Sequence, residues 1–302
     1  MNLLFASSSE NPDRWIPPLE RALPRDRVHR EPGPHIDVAL VAQPPTGTYA
    51  RLPNLKLVQS LWMGVEDIVA DPDYPRHVPL ARLIDPGMIA AMTETVLAHV
   101  LDWHRHHYRY RAQQAERRWE QLPQFMAGDR TVGVLGLGAL GADAAQALRA
   151  HGFRVLGWSR RPKLLPGVES TVELWDVLGR SDILVCLLPL TAETRGILDA
   201  KAFARMPQGG CVINVARGGH VIEKDLLAAL DSGRISRAYL DVFETEPLPP
   251  GHPFWSHPNI AITPHTAALT EPRTSVPKIA ANIERVRRGE RPEGLIDLAA
   301  GY

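Results

Sequence analysis

Long apolar runs are what this 302-residue sequence most lacks. No stretch approaches the roughly 18 consecutive apolar residues of a membrane-spanning helix, so a spanning segment is excluded. The first ten residues, MNLLFASSSE, hold a short apolar run with no basic stretch before it. They read as a first strand and not as a signal peptide. Net charge is missing too, with 34 Lys+Arg set against 34 Asp+Glu. Without a positive field to gather polyanions, neither nucleic acid nor a membrane surface has electrostatic support as a partner. Cysteine is scarce. Cys186 and Cys211 each sit inside a strand-like run (LVCLLP and GGCVINV) and read as buried small residues, not as a disulfide or a nucleophile. That usage suits a reducing cytoplasm, the expected location. Low-complexity tracts and repeats of fixed period are absent, and the 27 prolines scatter as punctuation between periodic segments.

What is present is an ordinary globular composition, 44% hydrophobic and 23% charged, in a chain long enough for two domains. Residues 1–60 carry three short apolar runs, LLFA at 3–6, VALVA at 38–42 and LKLVQS at 55–60, separated by Pro-rich stretches such as EPGPH and QPPTG. This pattern predicts a small parallel sheet. From Gly87 to about Arg118 a proline-free run places Met88, Met92, Val96, Val100 and Trp103 at helical spacing. Its second half, HRHHYRYRAQQAERRW, is polar nearly all round. His104 and His107 lie one turn apart, but no carboxylate or thiolate completes a metal site, so a solvated or partner-facing surface is the better reading. A helix that outruns its own core suggests a homodimer.

A second strand-and-helix series starts at Thr131. Its six strand-like runs are TVGVLGLG, FRVLGWS, ILVCLLP, CVINVA, RAYLDVF and IAITPH. Helical segments lie between most of them, and Gly233 stands where a helix C-terminal glycine belongs. Together these predict a doubly wound α/β domain. The tail around VPKIAANIERVRRGE reads as a helix that leaves this domain and could return to the first.

The first of these strands runs into Gly136-Leu137-Gly138-Ala139-Leu140-Gly141 and then a helix. A GxGxxG spacing alone is weak, because glycine is common in turns. Between a strand and an amphipathic helix, each glycine acquires a physical reason. The first makes a tight turn, the second lets the backbone approach a pyrophosphate, and the third brings helix and strand together. The helix N-terminus then offers amide groups and a positive dipole end to the phosphates. An NAD site places Asp or Glu about 20 residues on, for the ribose hydroxyls. Here the next strand ends in Trp158-Ser159-Arg160-Arg161-Pro162-Lys163, with no acid. Arg160 and Arg161 can hold a 2′-phosphate by charge-assisted hydrogen bonds and Ser159 can add another, which predicts NADP(H). The alternative is a solvated basic turn.

Three further motifs stand just past strand ends, where open α/β sheets bind ligands. They are Ala216-Arg217-Gly218-Gly219, Glu244-Thr245-Glu246-Pro247 and Pro264-His265-Thr266-Ala267. Singly each has a bland explanation, a structural histidine or a turn acid. Jointly they match hydride transfer to a ketone, whose oxygen gains charge and needs a cation and a proton donor. His265 fits the donor, Glu246 the carboxylate that orients it, and Arg217 the cation that holds a substrate carboxylate and polarises the carbonyl.

The ordered set VGVLGLGALG, CLLPLTAETRGIL, CVINVARGG, DLLAALDSGRI, LDVFETEPLP and ITPHTAA resembles the D-isomer-specific 2-hydroxyacid dehydrogenase family over nearly the whole chain. SLWMGVEDI, WSRRPK and the closing Gly301-Tyr302 are similar to its glyoxylate- and hydroxypyruvate-reducing members. The resemblance implies two Rossmann-like or flavodoxin-like doubly wound domains. Residues 1–97 and 272–302 would form the substrate-binding domain, with an NADP-binding domain over 98–271 inserted, and the helix after Gly87 would contribute to a homodimer. It implies the trio Arg217, Glu246 and His265. It further implies that the amides of Met63, Gly64 and Val65 bind the substrate carboxylate beside Trp62. Asp241 would contact the nicotinamide carboxamide, while Leu188, Pro189 and Ala216 line the cofactor cleft with the glycine loop. The missing acid after the second strand departs from most NAD-using members.

The expected reaction is NADPH-dependent reduction of glyoxylate to glycolate and hydroxypyruvate to D-glycerate. Trp62, Met63 and Trp255 suggest a tight pocket, although one methylene changes binding by only about 1–3 kcal/mol. Two other classes stay open at this point: a nucleotide-sensing corepressor-like binding protein, and a dehydrogenase for another small anion such as phosphite or formate.

Overall fold

The structure is a computed structural model, and it describes residues 1–298. The Gly301-Tyr302 pair lies outside the described residues. The chain forms two compact units, one of Met1–Met88 together with the chain from Leu269 onward, the other of Ile89–Ala268 inserted into it.

The first unit is built on a parallel sheet of β1 (Asn2–Ser7), β2 (Arg27–His29), β3 (Val38–Ala42), β4 (Leu57–Ser60) and β5 (Leu80–Ala81), in the order β2-β1-β3-β4-β5. This is the flavodoxin-like order, with its switch point between β1 and β3. The three apolar runs became β1, β3 and β4. The very short β2 and β5 were not legible as runs. Side chains alternate faces along each strand: Leu3, Phe5, Val38 and Leu40 enter one core cluster, Leu4, Ala6, Ala39 and Val41 the other. Because helices and loops cover both faces, the central strand β3 is apolar throughout and not alternating. Each Leu or Val buried this way contributes about 1.5–3 kcal/mol. Helix α1 (Pro12–Ala22), short α2 (Glu66–Ala70) and the C-terminal α9 (Pro272–Arg287) complete the unit, and α9 lays Val276, Ile279 and Ile283 into the Leu3 cluster. Asn282 fixes α9 further, donating to buried Gln59 and bonding both backbone groups of Glu293.

The second unit holds a seven-stranded parallel sheet in the order β12-β11-β10-β9-β6-β7-β8. Its strands are β6 (Thr131–Leu135), β7 (Arg154–Trp158), β8 (Glu169–Thr171), β9 (Ile183–Cys186), β10 (Gly210–Asn214), β11 (Ile235–Leu240) and β12 (Ile260–Ile262). This is the dinucleotide-binding order, reversing between β6 and β9. All six expected strands are there, with β8 as an unforeseen polar edge strand. Helices α5 (Ala139–Ala150), α6 (Leu174–Arg180), α7 (Ala200–Arg205) and α8 (Glu223–Asp231) supply the crossovers. Both cysteines are fully buried, on opposite faces of the sheet, and burial pushes the Cys186 thiol up to about 12.

The helix expected over 87–118 is divided. Helix α3 (Pro86–His104) stops, His106 takes a left-handed conformation (φ 59°), and α4 (His107–Ala115) follows. The apolar stripe from Met92 to Trp103 holds α3 on the sheet, whereas α4 has no such stripe to keep it in line. His104 corrects the surface reading: it is buried, edge-on to Phe153 at 5.0 Å. His107 is exposed.

Asp102 anchors α3 to the sheet. It accepts two hydrogen bonds from Arg111 and one from the hydroxyl of Tyr239 on β11. Burial pushes its carboxyl up, but Arg111 and Tyr239 outweigh this and hold it below the ordinary value of 3.8. Asp102→Ala strands the Tyr239 hydroxyl and should lower unfolding free energy by about 2–4 kcal/mol in denaturant titrations. Since the folded value is depressed, this contribution is present above pH 3.8 and is lost as pH falls through the lower folded value. The Ala variant should therefore show less acid dependence than the parent in that range.

Candidate active site

The glycine loop follows β6 at the switch point of the larger sheet. Gly136 has φ +99°, and a Cβ there would lie 2.7 Å from the Leu187 carbonyl oxygen. A Cβ on Gly141 would lie 1.8 Å from the carbonyl oxygen of Gly136, so only glycine permits this helix-to-strand approach. Gly138 differs: a Cβ there meets nothing within 4 Å. Its neighbours leave open space at the N-terminus of the twelve-residue α5, whose first amides have no acceptor within the helix. Two glycines are thus required by the protein itself, and the third leaves a cradle that fits a pyrophosphate. Ala139 and Leu140 open the helix beside it.

At the end of β7, Arg160 and Arg161 are exposed, and no acid stands between Trp158 and Lys163. The Ser159 hydroxyl donates to the Arg161 carbonyl at 2.6 Å and its amide to Thr171 at 3.3 Å. Ser159 therefore shapes the turn that presents the two guanidinium groups. Arg160 also acts on Glu193, whose carboxyl is held below its ordinary value first by the Thr191 hydroxyl and then, less strongly, by this charge.

Three adjacent strands, β10, β11 and β12, end in the residues proposed for chemistry. His265 Nδ1 lies 2.7 Å from Glu246 Oε2, while the other Glu246 oxygen accepts from the Phe243 amide at 2.9 Å. With Nδ1 turned to a carboxylate, Nε2 of this half-exposed ring is the atom placed for proton transfer. His265 has φ +52°, an uncommon conformation for a side-chain-bearing residue. Asp241 holds it there. The buried Asp241 carboxylate accepts from the Thr263 hydroxyl (2.5 Å) and the amides of Thr266 and Ala267 (2.9 Å each), and the Asp241 carbonyl accepts from the His265 amide (2.8 Å). The family resemblance implies an Asp241 contact to the nicotinamide carboxamide. Here the residue is 1% exposed and its carboxylate is bonded to the loop that carries His265.

Arg217 follows β10 in extended conformation, and one of its guanidinium nitrogens donates to the Ala216 carbonyl at 2.7 Å. Its own carbonyl is gripped by the Asn214 amide (2.9 Å) and by His220 Nδ1 (3.0 Å). His220 is fully buried, with Nε2 3.2 Å from the Pro189 carbonyl, which also accepts from Thr194. One ring thus stands between the Arg217 turn and the segment of Leu188 and Pro189. Gly218 is required by contact, since a Cβ there would lie 1.8 Å from the Phe243 carbonyl carbon. Sequence reading missed Asn214, His220 and Thr194, whose partners are carbonyls that no motif marks. Trp255 is 53% exposed and donates to the Pro249 carbonyl.

Trp62, Met63, Gly64 and Val65 belong to the first unit, in the segment after β4 at the C-terminal edge of that sheet. Val65 is buried and precedes α2; the other three are half-buried. The Trp62 amide donates to Ser60 Oγ at 3.0 Å.

These features define a nucleotide-binding α/β protein with a carboxylate-oriented histidine on the same sheet edge as the cofactor cradle, and the comparisons with known proteins agree. The family model described as "D-isomer specific 2-hydroxyacid dehydrogenase, NAD binding domain" matches residues 97–267, and the chain belongs to the D-isomer-specific 2-hydroxyacid dehydrogenase family. It is 41% identical to glyoxylate/hydroxypyruvate reductase A of Serratia proteamaculans (strain 568), over 100% of both chains. Among solved structures, it is similar to a D-isomer-specific 2-hydroxyacid dehydrogenase from Xanthobacter autotrophicus Py2 in complex with NADPH and MES (TM-score 0.96, 45% identity, covering 100% of this chain and 99% of that one). It is also similar to an NADPH-dependent glyoxylate/hydroxypyruvate reductase from Sinorhizobium meliloti in complex with NADP and sulfate (TM-score 0.94, 38% identity, covering 100% and 99%).

Because Asp241 holds the His265 turn, Asp241→Asn should act on catalysis through geometry. The amide nitrogen would face a backbone N–H, destabilising the protein by about 2–4 kcal/mol and lowering kcat about 100-fold. Thermal unfolding and steady-state kinetics on the same preparation check both.

Proposed function

We propose that this protein reduces short 2-keto acids, glyoxylate and hydroxypyruvate above all, to 2-hydroxy acids with NADPH. The observation that carries this reading is the His265–Glu246 pair, 2.7 Å apart, at the sheet edge that also bears the glycine cradle. Bound NADPH would supply the hydride to the carbonyl carbon. His265 gives its Nε2 proton to the carbonyl oxygen as charge develops there, and Glu246 keeps the ring oriented. Arg217 holds the substrate carboxylate and stabilises the developing oxyanion. The amides of Met63, Gly64 and Val65 are assigned to binding a substrate carboxylate, with Trp62 beside them. Leu188, Pro189 and Ala216 are assigned to the cofactor's nicotinamide side, whereas Asp241 is assigned to holding the His265 turn.

The preference for NADPH rests on the acid-free Ser159-Arg160-Arg161 turn, where a carboxylate would repel a 2′-phosphate and two guanidinium groups attract it. Two structurally similar relatives are described with NADPH or NADP bound, which supports the same assignment. A homodimer is proposed from the segment after α4, where Trp119 is 98% and Met126 68% exposed. Such apolar area on a surface suggests a second copy as its cover. A cytoplasmic location follows from the same cofactor, whose pool is kept reduced there; among the described residues no helix is long and apolar enough to cross a membrane.

Cofactor absorbance with glyoxylate, hydroxypyruvate, pyruvate and phenylpyruvate, each with NADPH and NADH, tests the reading. His265→Ala should lower kcat by about 100- to 10,000-fold with little change in the NADPH KM. Arg161→Asp should raise the NADPH KM about 10- to 100-fold, the equivalent of one or two charged hydrogen bonds. Equal use of NADH by the parent enzyme would overturn the cofactor assignment. For the dimer, sedimentation should give twice the chain mass, and Trp119→Glu should shift it toward the monomer.

A further inference from the structure

One carboxylate in the first unit serves two indoles. Glu10 Oε1 accepts from Trp62 Nε1 at 2.8 Å, and Glu10 Oε2 accepts from Trp15 Nε1 at 2.9 Å. The two tryptophans differ in their surroundings. Trp15 is fully buried in the core, on α1, whereas Trp62 is half-buried in the segment assigned to the substrate. Glu10 therefore links a side chain at the ligand edge to one that packing has already fixed.

The link is itself held at both ends. The Glu10 amide donates to Ser7 Oγ at 2.8 Å, and the Ser7 hydroxyl donates to the Ala42 carbonyl at the end of β3 at 2.6 Å. Glu10 thus stands just past β1, at the β1/β3 switch point where open parallel sheets receive ligands. Residue type matters here. An indole offers a single donor and no acceptor, so two indoles facing one group need two acceptor oxygens. A carboxylate has both. Glutamine has one, and its amide nitrogen would oppose the second indole N–H.

We infer that Glu10 is a positioning residue that sets the chain-length specificity of the reductase. By fixing the plane of Trp62, it confines the pocket to two- and three-carbon 2-keto acids. The inference rests on the proposed function. Trp62 turns about only two side-chain torsions, so holding its Nε1 leaves the ring little freedom beside the Met63-Gly64-Val65 amides. An unpinned ring gives way, and larger substituents on the keto acid are then admitted while small ones are held less firmly.

The test uses the full-length enzyme with NADPH and compares kcat/KM for glyoxylate and phenylpyruvate. Glu10→Gln and Glu10→Ala should each raise the phenylpyruvate-to-glyoxylate ratio about tenfold, the scale on which pocket contacts discriminate. The glyoxylate KM should rise and the NADPH KM should not. Trp15→Phe separates positioning from stability: it removes the core hydrogen bond but leaves Glu10 on Trp62, so Tm should fall while the ratio stays. Trp62→Phe should show the same relaxed selectivity, and adding Glu10→Ala to it should change nothing further, because the two act through one contact. The inference is overturned if Glu10→Gln keeps the parent ratio, or if Trp15→Phe shifts it as far as Glu10→Gln does. A parent enzyme that reduces neither keto acid would instead overturn the functional reading. These results are distinguishable in one data set.

Discussion

The buried carboxylate of Asp241 is the interaction on which the catalytic edge depends. It collects one hydroxyl and two amide donors from residues 263–267, and its own carbonyl takes a third amide. Without these acceptors, His265 has no reason to adopt a left-handed conformation, and its ring would not meet Glu246. The same strand anchors itself elsewhere through Tyr239, two residues earlier and therefore on the same face, whose hydroxyl reaches Asp102 on α3. His99 of α3 stacks on that tyrosine at 4.7 Å. The other face of the strand, Ala238 and Leu240, is purely apolar. One side of β11 is thus packed by the hydrophobic effect, and the other is fixed by directional bonds that begin in α3 and end at the histidine.

The cofactor end is governed by sterics more than by charge. Two of the three glycines are dictated by the protein's own backbone, at 2.7 and 1.8 Å from where a side chain would sit. Of the three, Gly138 alone faces open space, so nothing in the protein itself excludes a side chain there. Past β7 the logic changes to electrostatics: the turn carries three basic residues and no acid, and Ser159 uses its hydroxyl to shape that turn. Shape therefore determines that a dinucleotide binds, and charge determines which one.

How much of this the sequence disclosed follows from contact range. The glycine loop, the Arg217 turn, the Glu246 turn and the His265 turn are contiguous segments after apolar strands, and each could be read from a few neighbouring residues. The clamps beneath them join distant positions. Trp62 meets Glu10 across 52 residues, and His220 meets Pro189 across 31. Nothing local distinguishes such a glutamate from a surface acid, or such a histidine from any other within an apolar stretch. The short strands β2 (RVH) and β8 (EST) escaped because they carry almost no apolar residue, and β5 because two residues cannot display a pattern. At His106 the chain breaks a helix with neither proline nor glycine, because the apolar stripe that holds α3 has ended.

A common construction appears in the three segments assigned to the reaction. Trp62, Arg217 and His265 each stand at a strand's C-terminal end, where a ligand can reach them and where packing alone cannot hold them. Each is tied to another polar group: Trp62 to the half-buried Glu10, the Arg217 carbonyl to buried Asn214 and His220, the His265 turn to buried Asp241. Burying such groups costs several kcal/mol unless their hydrogen bonds are made, and in a low-dielectric interior the bonds that are made are strong and directional. The inner groups therefore tolerate substitution poorly, for the same reason that they hold the outer ones in place. Chemistry of this kind needs tolerances of about 0.5 Å, and apolar packing alone does not set the orientation of a side chain at a solvent-facing loop. Directional polar clamps do, which makes them the part of the site that carries its precision.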